Sequence, residues 1–259
     1  FFLDNITKAG LISVNINLAF NLDGEIKNNY QINGAIKKAK FNIFNRTTIE
    51  NLDLLFDISK NQLKLRKIET DINSIKLRSP LIKIEEKKNQ FFIDGKVIND
   101  QQNFDINKLK PILGDLLSTV ELEKINFKSI STFSFNVNKN LKLNDLKIET
   151  NLNLKNLKIV KNHLNLKTFL PNYTEQIKFE DHTIKIKLSK DRLGIKGEGD
   201  VYIGDELDQL SYSIINSDGK TAFDTNLNIK NNPLIIDFLD YEKKKGDSSD
   251  ILLKGIYKK

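Results

Sequence analysis

The 259-residue sequence contains no cysteine, no methionine and no tryptophan. Without cysteine there can be no disulfide framework, no thiolate zinc site, no iron–sulfur cluster and no thiol catalysis. Methionine is missing even at position 1, which indicates a processed chain or a segment of a longer protein. No apolar run reaches the roughly 18 residues of a membrane-spanning helix, and the N-terminus lacks a signal-peptide pattern. We therefore expect any targeting information to lie outside this segment.

Residues that usually bind metals or phosphates are scarce. The two histidines, His163 and His182, are not spaced as a metal pair, and each is a lone histidine with mainly polar neighbours. Both are predicted to lie at the surface. The four glycines between positions 194 and 204 do not match the spacing of a dinucleotide-binding turn, and the phosphate-binding pattern GxxxxGK is absent.

Acid–base pairs are equally hard to find. Glu85 and Glu86 are adjacent in an alternating segment, and adjacent residues of a strand point to opposite faces. They therefore cannot converge on one substrate. Asp237, Asp240 and Glu242 are most simply interpreted as a solvated loop. The sequence predicts no enzymatic activity, no metal and no cofactor.

The net charge of +7 raises the question of nucleic acid binding. Only four of the 41 basic residues are arginine, and the lysines are scattered along polar strand faces. Phenylalanines fall on the opposite, apolar faces, where their rings cannot stack on bases beside those lysines. We predict no nucleic acid partner. Two roles remain possible for the lysine-rich polar faces. They could attract the chain weakly to anionic membrane surfaces, or they could simply be solvated, with lysines that protect the strand edges from pairing with other chains.

Alternation of apolar and polar residues dominates the sequence. In residues 11–22, every second residue is apolar, and the residues between them are mainly Ser and Asn. This period of two is typical of strands with one apolar face. We predict that an apolar face is lined by Ile12, Val14, Ile16, Leu18, Phe20, Leu52, Leu54, Phe56, Ile58, Ile125, Phe127, Phe133, Phe135, Val137, Ile184, Ile186, Leu188, Val201, Ile203, Leu227 and Ile229.

The sequence also contains three Asp–Gly pairs and two short segments with helical spacing. The Asp–Gly pairs at 23–24 and 218–219 predict tight turns between antiparallel strands. The pair at 94–95 fits a bulge as well as a turn. Helical spacing occurs over 105–120 and, more weakly, over 166–176. These two segments each precede a new set of strands, so the chain could divide into sub-units 1–120 and 121–259.

At most two short helices are available to cover many amphipathic strands. The sheet must therefore close on itself or curve around something apolar. We expect a mainly β protein, an elongated, curved antiparallel sheet forming a hydrophobic groove, with one or two short helices. The alternative is a structural or adhesive β-sandwich or β-solenoid with a self-packed core.

The segments 169–215 and 222–259 resemble the AsmA-like proteins of diderm bacteria, in particular the YhdP-type branch. The resemblance lies in repeated apolar–polar strands, in the Leu170–Pro171 turn before a new unit, and in a Gly-x-Gly-x-Val element at Gly197, Gly199 and Val201. The whole window, 1–259, would then be a segment of a larger β-groove protein.

The resemblance implies a non-enzymatic role in outer membrane biogenesis. Family members are anchored in the inner membrane and extend a hydrophobic β-groove across the periplasm, where they carry phospholipid towards the outer membrane. Phospholipid is then the expected ligand of this chain. Contact with membranes would come from parts of the parent protein outside this window.

Overall fold

A computed structural model describes residues 9–27, 29–43, 47–73, 75–104, 106, 121–140, 142–161, 166–174 and 176–258. Thirteen of its strands form one open antiparallel sheet, in the order β1 to β12 followed by β15, and β13 and β14 form a separate two-stranded sheet. The prediction of a mainly β chain with an antiparallel sheet is confirmed. The open sheet differs from the two packed sheets of a sandwich.

The strands follow the alternating segments of the sequence. Their bounds are β1 Ala9–Asn17, β2 Gln31–Ile43, β3 Thr47–Ser59, β4 Gln62–Ile72, β5 Ile75–Lys87, β6 Gln90–Phe104, β7 Glu121–Asn138, β8 Leu143–Lys161, β9 Ile177–Ser189, β10 Arg192–Ile203, β11 Glu206–Ser217, β12 Lys220–Ile229, β13 Leu234–Ile236, β14 Tyr241–Lys243 and β15 Ser249–Lys258.

The helical predictions have different outcomes. All of the segment 105–120 except Ile106 lies outside the described residues. In the described part of 166–176, consecutive turns replace the predicted helix, with the Leu170 N–H donating to the Leu166 carbonyl at 2.8 Å. Pro171 has no N–H to continue a helix. A short 3₁₀ helix at Asp237–Leu239 was not predicted. None of the described helical residues forms a helix long and apolar enough to cross a membrane.

Two of the three Asp–Gly pairs lie in turns, as predicted. Asp218 and Gly219 connect β11 to β12 with φ angles of 50° and 69°, the paired positive values of a type I′ hairpin turn. Gly24 has a φ angle of 86° within the turn that follows β1. The pair at 94–95 lies inside β6 and is regularly paired with Lys83 and Ile82 of β5, so it is not a turn; the nearest register shift lies between Arg78 and Ile82.

Contacts divide the chain into two compact units. Unit 1 comprises Phe1–Asp100 and Ile130–Ile148, and unit 2 comprises Gln101–Ser129 and Glu149–Lys259. This division differs from the expected sub-units 1–120 and 121–259. The reason is that β6, β7 and β8 are long strands that each contribute residues to both units.

Candidate functional site

The strand register of unit 1 places apolar residues in rows that cross six strands. Residues directly opposite each other in an antiparallel pair have side chains on the same face. One row consists of Ile16, Ile32, Ile58, Leu63, Ile84 and Ile93, and the next consists of Val14, Gly34, Phe56, Leu65, Ile82 and Gly95. At a strand spacing of about 4.8 Å, each row is about 24 Å wide. We call this surface the unit 1 apolar face.

The other side of the same strands is polar. The row between the two apolar rows, on the opposite side of the sheet, consists of Asn15, Asn33, Asp57, Lys64, Lys83 and Asp94. Arg66 donates from Nε to Asp57 at 2.7 Å, and Arg78 forms a bidentate pair with Asp100 at 2.7 and 2.9 Å. The hydrogen bonds from Arg78 lower the pKa of Asp100 below its ordinary value. The guanidinium groups of Arg66 and Arg78 are therefore already paired with carboxylates of this chain.

The unit 1 apolar face is not covered by a second layer of described residues. None of the twelve residues in its two rows is buried, and Val14 and Ile16 are 50% and 54% exposed. The described residues of unit 1 outside the strands form the turns and loops that join neighbouring strands. A sheet face packed against another layer would be dry and close-packed. This face is instead open.

Glycines on the apolar faces make room for aromatic rings from the neighbouring strand. A Cβ atom built on Gly34 would lie 2.6 Å from Cζ of Phe56, and one on Gly95 would lie 2.7 Å from Cζ of Phe133. In unit 2, Gly255 has the same relation to Phe223, at 2.5 Å from Cζ. Such pairing compensates for the missing side chain of a glycine in a strand. The rings therefore lie over the sheet where glycine has no side chain.

Strand β7 contributes further aromatic residues. Phe127 stacks on Phe104 with ring centroids 4.3 Å apart, within unit 2. Phe133 and Phe135 lie on the same side of β7 in unit 1, with centroids 6.0 Å apart. These three predicted lining residues, together with Ile125 and Val137, are partly exposed.

Unit 2 has an apolar face of its own, formed by β9 to β12 and β15. Its rows include Ile186, Ile195, Ile214, Phe223 and Gly255, followed by Ile184, Gly197, Tyr212, Thr225 and Leu253. Tyr212 lies over Gly197. The predicted residues Ile184, Ile186 and Leu188 are partly exposed here. We call this surface the unit 2 apolar face.

One end of the unit 2 apolar face is closed. The cap, residues 166–174 and 230–248, packs its Leu170, Tyr173 and Leu234 against the sheet. The covered sheet residues include three that were predicted to line the groove, Val201 and Ile203, each 3% exposed, and Ile229, 0% exposed, with Leu227 packed against them. The structure therefore places these residues in a closed core and not on an open face.

Buried polar groups hold the cap in place. Asp208 accepts hydrogen bonds from the backbone N–H groups of Lys230 and Asn231 at 2.7 and 2.8 Å and from the amide of Asn232 at 2.8 Å. The ammonium of Lys243, a residue only 3% exposed, donates to the carbonyls of Lys230, Lys244 and Asp247. Lys243 thus organises the lysine-rich 243–249 segment.

His182 is buried, so its predicted surface position is wrong. It is 1% exposed and makes an edge-to-face contact with Phe179. Its ring lies over Gly199, at a register shift between Glu198 and Asp200, and its Nε2 is 2.9 Å from the Asp200 carbonyl. Burial lowers the pKa of His182, which favours the neutral ring donating to that carbonyl. His163 lies outside the described residues.

The remaining predicted lining residues lie in unit 1. Ile12, Val14 and Ile16 are exposed on β1, whereas Leu18 and Phe20 lie beyond its end and are 44% and 55% exposed. On β3, Leu54 is buried at 7% exposure, and Leu52, Phe56 and Ile58 are partly exposed. Gly34 was not predicted to be part of the face, because only the register shows that it lies opposite the ring of Phe56.

The described residues of these faces offer no cluster of metal-binding side chains. The described residues contain no group of three or more His, Asp or Glu that could hold a metal ion. Comparisons with protein-family models, with curated proteins and with solved structures found no match to this chain. The open apolar faces are therefore the candidate functional site.

Proposed function

We propose that this chain is a non-enzymatic segment of a lipid conduit that carries phospholipid between the inner and outer membranes. Acyl chains would lie on the apolar faces, and head groups would stay in water near the strand ends. The periplasmic setting, with the parent protein anchored in the inner membrane, follows from the resemblance of residues 169–215 and 222–259 to AsmA-like proteins.

The observation that supports this proposal most directly is the open unit 1 apolar face. Its twelve residues lie in two rows, all are at least partly exposed, and no described element covers them. Soluble monomers rarely expose contiguous apolar patches larger than a few hundred Å². An acyl chain placed there would gain about 0.8 kcal/mol for each CH₂ group that it buries. This gain offsets the loss of contacts in the bilayer.

Site-specific photo-crosslinking tests the proposal. A photoreactive amino acid replaces Ile58, on the unit 1 apolar face, or its neighbour Asp57, on the polar side of the same strand. The chain is expressed in the envelope of a diderm bacterium and irradiated, and adducts are identified by mass spectrometry. We expect phospholipid adducts at position 58 and few or none at position 57.

The matched position makes the outcome decisive. Equal labelling at 57 and 58 would show only general contact with membranes, and no lipid at 58 would contradict the proposal. Solvent extraction of the purified chain gives a second readout. A lipid-free and detergent-free monomer would also count against lipid carriage.

A further inference from the structure

The uncapped end of unit 2 brings basic residues into one row. The register aligns Ser189, Arg192, Ser217, Lys220 and Lys258 across β9, β10, β11, β12 and β15. At a strand spacing of about 4.8 Å, this row is about 19 Å wide. Lys190 lies in the β9–β10 turn beside it. We call Lys190, Arg192, Lys220 and Lys258 the basic rim.

The four cations of the basic rim are exposed and available to a ligand. None of them forms an ion pair with a carboxylate of any described residue. The segments that form this end, 189–192, 217–220 and 254–258, contain five basic and two acidic residues. The strand ends therefore present an excess of positive charge.

Apolar side chains lie directly behind the basic rim. On β15, Ile256 and Tyr257 directly precede Lys258. Tyr257 is 61% exposed on the apolar side of the sheet, and Ile256 is 69% exposed on the other side. Phe223, opposite Gly255, is also exposed. Aromatic and aliphatic residues beside lysine and arginine are typical of surfaces that enter the interfacial region of a membrane.

The opposite end of unit 2 has a different character. There the cap covers the apolar residues, and the segments 166–174, 204–208 and 230–248 contain seven acidic and five basic residues. The two ends of the same strands therefore differ both in charge and in apolar exposure. Lipid carriage needs only an apolar surface, so it does not explain why the two ends of unit 2 differ.

We propose that the basic rim docks on the surface of an anionic phospholipid bilayer. The lysines and Arg192 would contact phosphate groups, while Tyr257 and Ile256 would enter the layer of head groups. A lipid surface fits better than a soluble polyanion, because only a lipid surface also removes the exposed apolar residues from water. Docking would hold the open end of the unit 2 apolar face at the membrane.

Vesicle co-sedimentation of the whole chain tests this proposal. The probes are vesicles of phosphatidylglycerol mixed with phosphatidylcholine, and vesicles of phosphatidylcholine alone. The rim variant carries K190E, R192E and K220E. The control carries K60E, K88E and K139E, which change the net charge equally at exposed turn lysines of unit 1. A duplex DNA of similar charge serves as a competing polyanion.

We expect the wild-type chain to bind the phosphatidylglycerol vesicles and to be released by salt. Each basic residue near an anionic surface contributes roughly a fivefold gain in binding. The rim variant should therefore lose at least about a hundredfold in its partition coefficient. The control should bind as the wild type does. Y257D should also weaken binding, because it removes the apolar part of the contact.

Other outcomes would overturn the proposal. They are no binding by the wild type, equal binding by the rim variant, equal loss in the control, or DNA binding as tight as vesicle binding. The neutral variant K190Q/K220Q guards against misfolding of the charge-reversed chain, and circular dichroism verifies that both fold. Lipid recovered by solvent extraction should be unchanged in the rim variant, which separates docking from acyl-chain binding.

Discussion

The difference between the closed and open parts of the unit 2 apolar face can be measured with one type of substitution. Leu234 belongs to the cap, packs against the closed part of the face and is 2% exposed, whereas Leu253 is 57% exposed on the uncapped part. Both residues belong to unit 2, and both can be replaced by alanine. The pair therefore changes burial while the chemistry of the substitution stays the same.

The expected magnitudes follow from burial. A buried leucine replaced by alanine costs about 3 to 5 kcal/mol, because a cavity remains in the packed core. Leu253 keeps less than half of its surface out of water. Full burial of a leucine side chain stabilises by about 1.5 to 3 kcal/mol, so we expect L253A to cost about 1 kcal/mol. No cavity forms there, because no described residue covers the site.

Urea unfolding of the delipidated chain, followed by far-UV circular dichroism, provides the measurement. The sequence has no tryptophan, so fluorescence would have to depend on tyrosine. Adding phospholipid should increase the cost of L253A and leave that of L234A unchanged. If L253A destabilised a lipid-free monomer as much as L234A does, the face would be self-packed and the reasoning would fail.

Three further substitutions test individual features. G95V should lower the free energy of unfolding, measured in urea, by about 1 to 3 kcal/mol, because the valine displaces the ring of Phe133. Combining G95V with F133A should recover part of that loss. Strictly additive effects of the two substitutions would argue against a contact between these residues. Because burial lowers the pKa of His182, the unfolded state takes up the proton first, so the melting temperature should fall as the pH drops below about 6.5. H182Q should flatten that slope, and an unchanged slope would assign it to another group. K243M should expose segment 230–248 to proteolysis by removing the three hydrogen bonds that the Lys243 ammonium donates to backbone carbonyls, whereas the exposed control K244M should not.

The strands were readable from the sequence because their signal is local. Alternation with period two and the Asp218–Gly219 turn depend only on adjacent residues, and the structure agrees at these positions. The face that each strand presents is then determined by the same alternation. Ile58 and Phe56, for example, occupy the predicted side of β3.

The cap and the burial of His182 could not be predicted from the sequence, because both depend on contacts between residues that are distant in the chain. His182 is covered because Gly199, on the next strand, leaves space for its ring. The lysine-rich segment at 243–249 has the composition of a linker, yet Lys243 is buried because three backbone carbonyls surround its ammonium. Composition cannot show such a cage, since carbonyl groups belong to every residue.

In this sheet, strands that are consecutive in the chain are neighbours, and this order determines how the number of strands can change. From β1 to β12, each strand pairs only with the strands before and after it in the chain. Such a meander resembles a repeat array, in which each unit interacts chiefly with adjacent units. Inserting or deleting a complete hairpin preserves both the direction of the later strands and the side of the sheet on which their apolar residues lie. Removing a single strand would reverse the direction of all later strands. Duplication or loss of hairpin pairs is therefore the step by which evolution, or a designer, could lengthen or shorten the sheet.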